Sequence, residues 1–203
     1  MRKYIVKTVE EPAEIRDTER LFVDEFTHGT SGYEPRTNAR LVYVRDRGFL
    51  CRMESEETSL RAEVTMPDGP THLDSCLEFF VNFAPEKKAE YLNLETNPLG
   101  TLHCKFGPGR AGRKPLAECG CETRPQIHVL DAEDCWGVDF FIPLETVRAL
   151  YGKSEFRKGD VLRGNFYKCG DDTAHPHYGV WNRVETETPD FHRPEFFGEL
   201  VIG

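Results

Sequence analysis

Features that would assign the chain to a membrane or to a nucleic-acid partner are absent from its sequence. No apolar run approaches the length of a membrane span, and the opening residues, MRKYIVKTVEEP, contain no apolar run of signal-peptide length. No basic stripe offsets the net charge of −9, and phosphate backbones repel an acidic surface. We therefore expect no nucleic-acid partner and no membrane partner. We expect a cytoplasmic location for the sequence as written, or an extracellular one if a leader has been removed.

Motifs of common enzymes and cofactor-binding proteins are also absent. There is no Gly-x-Ser-x-Gly nucleophile elbow and no glycine loop of the phosphate-binding kind. The seven cysteines are scattered and lack the paired Cys-x-x-Cys knuckles of a zinc ribbon. An odd number leaves at least one cysteine unpaired within the chain. We expect most of the cysteines to be small buried apolar side chains in a reducing compartment.

Short runs rich in β-branched and aromatic residues, broken by Gly, Pro and Asp, dominate the chain. Such runs are typical of strands, and ten are predicted: 40–44, 49–53, 59–64, 76–83, 89–94, 101–106, 126–130, 135–142, 160–169 and 197–202. One clear helix is predicted over 143–152, and residues 14–22 suit either a helix or a turn followed by an edge strand. Without a βαβ rhythm, this pattern predicts an all-β fold, an antiparallel two-sheet β-sandwich (jelly-roll-like) with one short helix and a single domain over 1–203.

Trp181 is a candidate for stacking on a sugar. A sugar ring has apolar C–H faces surrounded by hydroxyl groups, so its site needs a flat aromatic ring and polar side chains. Trp181 lies in the loop-like segment 170–194, where binding groups often collect. The alternative is that this tryptophan plugs the end of the sandwich, because Trp is usually well buried. Trp136 falls within a predicted strand, and we expect it to pack in or near the core.

Strand alternation brings polar side chains together at two places. Arg163, Asn165 and Tyr167 share one strand face, which would suit a ligand rich in hydroxyl groups. Glu78 shares a face with Phe80 on another strand, where its carboxylate would accept two sugar hydroxyls. For both places the alternative is an ordinary solvated face of the sandwich.

Two further groupings would support an enzyme or an ion site. Glu78 would need a second carboxylate as its acid or base partner, and the candidates are Glu95, Asp139 and Glu145. Three histidines in the loop-like segment would hold a metal, or would cap turns and bond a ligand: His175, His177 and His192. The oxygen-rich run 171–173 would suit calcium.

Six segments, in order along the chain, carry a resemblance to a known family: 33–41, 74–80, 91–95, 136–143, 164–168 and 181–198. Together they resemble the family 9 carbohydrate-binding modules and their stand-alone bacterial relatives, and the last segment is the most specific. The resemblance implies a β-sandwich with a binding slot at one end. In that slot two tryptophans sandwich a sugar at a chain end and polar side chains bind its hydroxyls. The resemblance also implies structural calcium.

The resemblance extends to individual positions. Trp181 matches the second tryptophan, and His72 stands where the first is expected, shortly before the strand glutamate Glu78. An imidazole stacks on a sugar with less area than an indole. The resemblance implies that Glu78 accepts hydroxyl hydrogen bonds and that Asn165 supplies an amide contact.

We therefore predict non-catalytic binding of a small sugar or a saccharide chain end, with no catalytic residue and structural calcium as the one cofactor to consider. The predicted carbohydrate-binding residues are His72, Glu78, Arg163, Asn165, Tyr167, His177 and Trp181. A metal-dependent or glycoside-active hydrolase that uses the three loop histidines is the first alternative. A protein-interaction domain on the same sandwich is the second.

Overall fold

In the computed structural model, which describes residues 1–29, 31–132 and 135–203, strands account for most of the regular structure. The strands are β1 (Lys3–Val9), β2 (Leu21–Val23), β3 (Glu25–Phe26), β4 (Arg36–Val44), β5 (Gly48–Glu56), β6 (Cys76–Asn82), β7 (Tyr91–Thr96), β8 (Leu102–Gly107), β9 (Lys114–Pro115), β10 (Gln126–Ala132), β11 (Cys135–Pro143), β12 (Val161–Cys169), β13 (Tyr178–Val180) and β14 (Gly198–Ile202). The α-helix, α1 (Leu144–Tyr151), follows β11. No helix within the described ranges is long and apolar enough to cross a membrane.

The strands form two sheets that share β1. Residues 3–6 of β1 pair with β14, and residues 7–9 pair with β4. The first sheet has the order β1-β14-β12-β6-β7-β8-β9, and the second has the order β1-β4-β5-β11-β10. Both pairings of β1 are parallel, whereas the other pairings among the described residues are antiparallel. The predicted β-sandwich is confirmed, but its sheets are mixed rather than purely antiparallel. A jelly-roll order stays a prediction.

The core lies between the two sheets and is built from alternate residues of each strand. On β6, Phe79 points to the core and stacks on Phe166 of β12, with ring centroids 4.7 Å apart. Phe49 of β5 meets Phe83 across the sandwich at 4.7 Å. Every residue of β6 is nevertheless buried, including those on its outer face. The first sheet is therefore covered on both faces. The candidate site lies between its outer face and the chain segments that pack on that face.

Local structure departs from the sequence prediction in a few places. Nine of the ten predicted strands and the predicted helix are confirmed, with ends shifted by a few residues. Segment 59–64 is not a strand, because the backbone N–H groups of Glu63 and Val64 donate to the Asp74 carboxylate, at 3.0 and 2.8 Å, rather than to a neighbouring strand. Residues 14–22 follow the turn-and-strand alternative, with a 3₁₀ turn at Pro12–Asp17 before β2.

A buried ion pair ties the two sheets together at one end of the sandwich. The ammonium of Lys168, which is fully buried on β12, lies 3.0 Å from Glu57 Oε2 and donates to the Cys169 carbonyl at 2.8 Å. Glu57 also accepts from Trp136 Nε1 at 3.1 Å and from Ser75 Oγ at 2.8 Å. Trp136 is thus buried, as predicted. Each buried charge has several partners, which offsets part of its loss of hydration.

Replacing Lys168 by Met should lower the free energy of unfolding by about 3–5 kcal/mol, because it leaves the Glu57 carboxylate buried without a cation. The double variant Lys168→Met/Glu57→Gln removes that charge as well and should recover part of the loss. Urea unfolding of both variants beside the wild type measures this. Equal stability of the single variant and the wild type would contradict the assignment of a buried, coupled pair.

Candidate functional site

The outer face of the first sheet carries a row of polar side chains across four strands. Tyr167 of β12 lies opposite Glu78 of β6, which lies opposite Glu95 of β7. Glu95 in turn lies opposite His103 of β8. Residues directly opposite in an antiparallel pair present their side chains on the same face. Glu78, Glu95 and His103 form the floor of a pocket.

The segment around Phe191 and His192 forms one wall of this pocket and is held firmly. Phe191 stacks on Tyr167, with centroids 4.3 Å apart and planes at 14°, and its carbonyl accepts from the Tyr167 hydroxyl at 3.0 Å. His192 stacks on Phe80 at 4.9 Å, and its Nδ1 lies 2.9 Å from the Tyr91 hydroxyl. The wall is therefore fixed to the sheet by both ring stacking and hydrogen bonds.

The pocket has a volume of about 520 Å³, within the range of about 300–1,000 Å³ usual for small-molecule sites. Its ring-bearing side chains are Tyr178, Phe191, His72, His103 and His192. Its acidic and basic side chains are Glu78, Glu95, Asp171, Asp190, Arg110 and Arg113. Apolar surface and hydrogen-bonding groups are thus brought together in one cavity.

The two floor carboxyl groups are buried side by side but are compensated differently. Glu95 Oε1 accepts from Asn93 Nδ2 at 2.8 Å and lies 3.8 Å from Arg113 Nη1. Glu78 is bonded instead by the Cys169 thiol, whose Sγ lies 2.9 Å from Oε1. Burial, and then the charge of Glu95, raise the pKa of Glu78 well above its usual value. Glu78 therefore keeps its proton to a higher pH than an exposed carboxyl group, and can donate as well as accept.

Two of the predicted site residues line this pocket. Glu78 lies on the floor, on the strand face that alternation predicted for it, together with Phe80. His72 lies at the rim, exposed, in the 3₁₀ turn Thr71–Leu73. Asp171 lies close by, since its backbone N–H donates to the His72 carbonyl at 3.0 Å.

The prediction that Trp181 offers an exposed stacking face is wrong. Trp181 is only 3% exposed and belongs to the core between the sheets, where it meets Phe166 edge-on at 5.6 Å. Gly198 allows this position, because a Cβ there would overlap the indole ring. The indole therefore plugs the sandwich, which was the alternative drawn from the sequence.

Three further predicted residues also lie outside the cavity. Asn165 is fully buried, and its side-chain amide is hydrogen-bonded to the backbone of Asn182. It donates to the Asn182 carbonyl at 2.7 Å and accepts from the Asn182 N–H at 2.8 Å. Arg163 lies 3.6 Å from Glu199. Tyr167 lies under Phe191 and supports the wall. The polar face predicted for this strand exists, but neighbouring side chains and backbone cover Asn165 and Tyr167.

The three loop histidines do not converge on one point. His177 is buried, and its Nδ1 lies 2.7 Å from the His175 carbonyl, while both of these rings pack against Tyr33. His192 instead packs on Phe80 in the pocket. Among the described residues, no group of three potential metal ligands includes a histidine. A metal site made of these histidines, and a role for His177 in the pocket, are both contradicted.

Calcium at the 171–173 run gains no support from side-chain geometry. No three carboxylates converge within the described ranges, and the only cluster of three potential side-chain ligands found there contains two thiols. Structural calcium therefore stays a prediction.

Several pocket residues were not predicted as ligand contacts. Glu95 was considered only as an acid or base partner, and its position opposite Glu78 depends on strand register. Arg113 lies in the Gly- and Pro-rich stretch 107–125, for which the sequence predicts no strand, yet its side chain is only 11% exposed and bonds to Asn93 as well as lying near Glu95. Phe191 fell within the segment with the most specific resemblance. That segment was the one sequence signal that could have led to it.

The chain is a two-sheet β-sandwich with a ligand-sized pocket on the outer face of one sheet. The model of carbohydrate-binding family 9 matches residues 11–202, and the chain belongs to this family. No curated protein matches the chain.

Solved structures with the same fold include three relatives. A putative carbohydrate-binding protein from Bacteroides uniformis ATCC 8492 is 26% identical, with a TM-score of 0.82 over 100% of this chain and 99% of the other. A family 9 module from Caldicellulosiruptor kristjanssonii in complex with cellotriose is 10% identical, with a TM-score of 0.70 over 99% and 93%. The same organism's module in complex with glucose is 12% identical, with a TM-score of 0.73 over 100% and 96%. At 10% and 12% identity, the last two show the fold alone.

Replacing Trp181 by Ala should lower the free energy of unfolding by about 3–5 kcal/mol, the usual loss for a large aromatic removed from a core. The matched control is Phe22→Ala, which removes a ring that is 40% exposed and should cost much less. Urea unfolding measures both. A Trp181→Ala protein as stable as the control would contradict the buried position of the indole.

The buried imidazole of His192 makes stability depend on pH. Burial, followed by the charges of Arg113 and Arg110, lowers its pKa to about 2 in the folded protein. In the unfolded chain a histidine titrates near pH 6.5. Between pH 6.5 and about 2 the unfolded state therefore binds one more proton at His192 than the folded state does. The contribution of His192 to the stability of the folded protein thus falls as the pH falls.

The variant His192→Gln isolates this contribution. Its stability deficit relative to the wild type should shrink by about 1.4 kcal/mol for each pH unit below 6.5, because the wild type alone loses stability through this imidazole. Urea unfolding of both proteins at pH 7 and pH 5 measures the change. A deficit that stays constant between these two values would contradict a neutral, buried His192.

Proposed function

We propose that this chain is a non-catalytic module, formed by residues 1–203 as one unit, that binds a small sugar or the end of a saccharide chain in the pocket on the first sheet. The observation that carries this proposal is the arrangement of a fixed aromatic wall beside buried carboxyl groups in one open cavity. Membership of carbohydrate-binding family 9 supports it. So do the complexes of two structural neighbours with cellotriose and with glucose.

Phe191 and Tyr178 supply the apolar surface that a sugar face requires. Their rings meet edge-on, with centroids 6.4 Å apart, and both line the pocket. Stacking on Tyr167 holds the Phe191 ring in place, so little side-chain freedom is lost when a ligand binds. This aromatic corner takes the role that the sequence had assigned to Trp181.

The polar groups of the pocket suit hydroxyl groups, which both donate and accept. Glu78 can donate and accept because its pKa is raised, and Glu95 accepts while Arg113 donates. His72 at the rim adds an imidazole. The net charge of −9 disfavours an anionic ligand, so we propose a neutral saccharide.

One observation favours a glycoside-active hydrolase as the second candidate. Glu78 and Glu95 are adjacent carboxyl groups in a ligand-sized pocket, and the raised pKa of Glu78 is a property of a general acid. However, Glu95 is engaged by Asn93 and by Arg113. Release of reducing ends from cello-oligosaccharides, or of phenol from aryl glycosides, would identify this activity.

Calorimetric titration with glucose, cellobiose, cellotriose and xylobiose tests the binding function. We expect the wild type to bind at least one of them, and Phe191→Ala and Glu78→Gln to bind it at least about tenfold more weakly, a loss of about 1.4 kcal/mol or more. The matched control is Phe22→Ala, an exposed ring on β2 that should bind like the wild type.

Two results would contradict the proposal. One is the absence of heat for every sugar at millimolar concentration with a protein that circular dichroism shows to be folded. The other is an unchanged affinity in Phe191→Ala and Glu78→Gln. Turnover of a sugar by the wild type, abolished in Glu78→Gln, would replace the binding module by the hydrolase.

A further inference from the structure

Two thiols and a carboxyl group converge at one end of the pocket floor. Cys76 and Glu78 lie two residues apart on the outer face of β6, and Cys169 of β12 lies directly opposite Cys76. One potential ligand atom from each residue lies within 4.8 Å of the other two. All three residues are buried. The strand register, rather than a mobile loop, therefore holds the cluster together.

The spacing of these atoms is close to that of a tetrahedral metal site. With Zn–S bonds of about 2.3 Å and Zn–O bonds of about 2.0–2.2 Å, the ligand atoms around a zinc ion lie roughly 3–4 Å from one another. The Cys169 Sγ and Glu78 Oε1 atoms are already 2.9 Å apart. Small side-chain rotations would therefore suffice to place three ligand atoms around one ion.

We propose that Cys76, Glu78 and Cys169 bind a thiophilic divalent cation of the Zn²⁺ class, with its remaining coordination position open to the pocket. Glu78 and Cys169 both line the cavity, so an ion held by them faces the space in which a ligand would lie. Three protein ligands and one open position are the arrangement in which zinc binds a water or a ligand oxygen.

The charges around the cluster favour a cation. As the metal bonds form, each thiol and the carboxyl group release their protons to solvent and become anions, and the ion supplies positive charge that they otherwise lack. The nearby basic side chains are engaged elsewhere, since Lys168 pairs with Glu57 and Arg113 lies near Glu95. Two sulfur ligands select zinc, cobalt or cadmium over calcium and magnesium, which prefer oxygen.

The metal site goes beyond the proposed sugar binding, although the two share Glu78. Metal binding is therefore measured without sugar, and sugar binding is measured without added Co²⁺ or Zn²⁺. Replacing Cys76, which does not line the pocket, should affect the metal site alone, whereas replacing Phe191 should affect sugar binding alone. Failure of one proposal can thus be told from failure of the other.

The experiment titrates the full chain, reduced and stripped of metal, with Co²⁺. We expect one equivalent to bind, with thiolate-to-cobalt charge-transfer absorption, and Zn²⁺ to displace it. Cys76→Ser, Cys169→Ser and Glu78→Gln should each bind at least about tenfold more weakly. The matched control is Cys104→Ser, a buried cysteine on β8 outside the cluster, which should bind like the wild type.

Three results would overturn the proposal. The first is a wild-type protein that binds neither Co²⁺ nor Zn²⁺ at micromolar protein concentration. The second is charge-transfer absorption that persists unchanged in Cys76→Ser and Cys169→Ser. The third is a Cys76–Cys169 disulfide that survives reduction, found by counting thiols. The first result comes from the wild-type titration alone, so the proposal can be overturned even if a variant fails to fold.

Discussion

The burial of two carboxyl groups side by side is the constraint around which the pocket is arranged. Glu78 and Glu95 lie opposite each other on β6 and β7, where two charges of the same sign would repel strongly in a medium of low dielectric constant. Asn93 and Arg113 compensate Glu95, and the Cys169 thiol bonds to Glu78, whose raised pKa lets it keep its proton to a higher pH than an exposed carboxyl group. The floor therefore offers both a donor and acceptors in one place, which is the chemistry that a hydroxylated ligand needs.

The same strands perform two tasks because their residues alternate. On β12, Phe166 points into the core, while Tyr167 points outward and supports the wall at Phe191. Lys168 points inward again and pairs with Glu57 at the end of the sandwich. Each step along the strand thus switches between holding the two sheets together and shaping the pocket. A substitution that shifts the register by one residue would damage both.

Periodicity in the sequence was sufficient to predict most strands and the face on which Glu78 lies, because alternation is a local property. It was not sufficient for Trp181. The burial of this indole depends on Gly198 of β14 and Phe166 of β12, which the tertiary fold brings next to it. Arg113 could not be predicted either, since its approach to Glu95 joins a loop to a strand by tertiary contact alone. The parallel pairings of β1 depend likewise on the closing of the sandwich.

The position of the ligand is the central claim, and an NMR titration of the ¹⁵N-labelled protein with a sugar that binds tests it most directly. We predict that shifted amide signals will cluster at Glu78, Glu95 and Phe191, while the indole signals of Trp136 and Trp181 stay in place. The opposite result, a shifted Trp181 indole with unmoved pocket amides, would contradict this account of where the sugar lies.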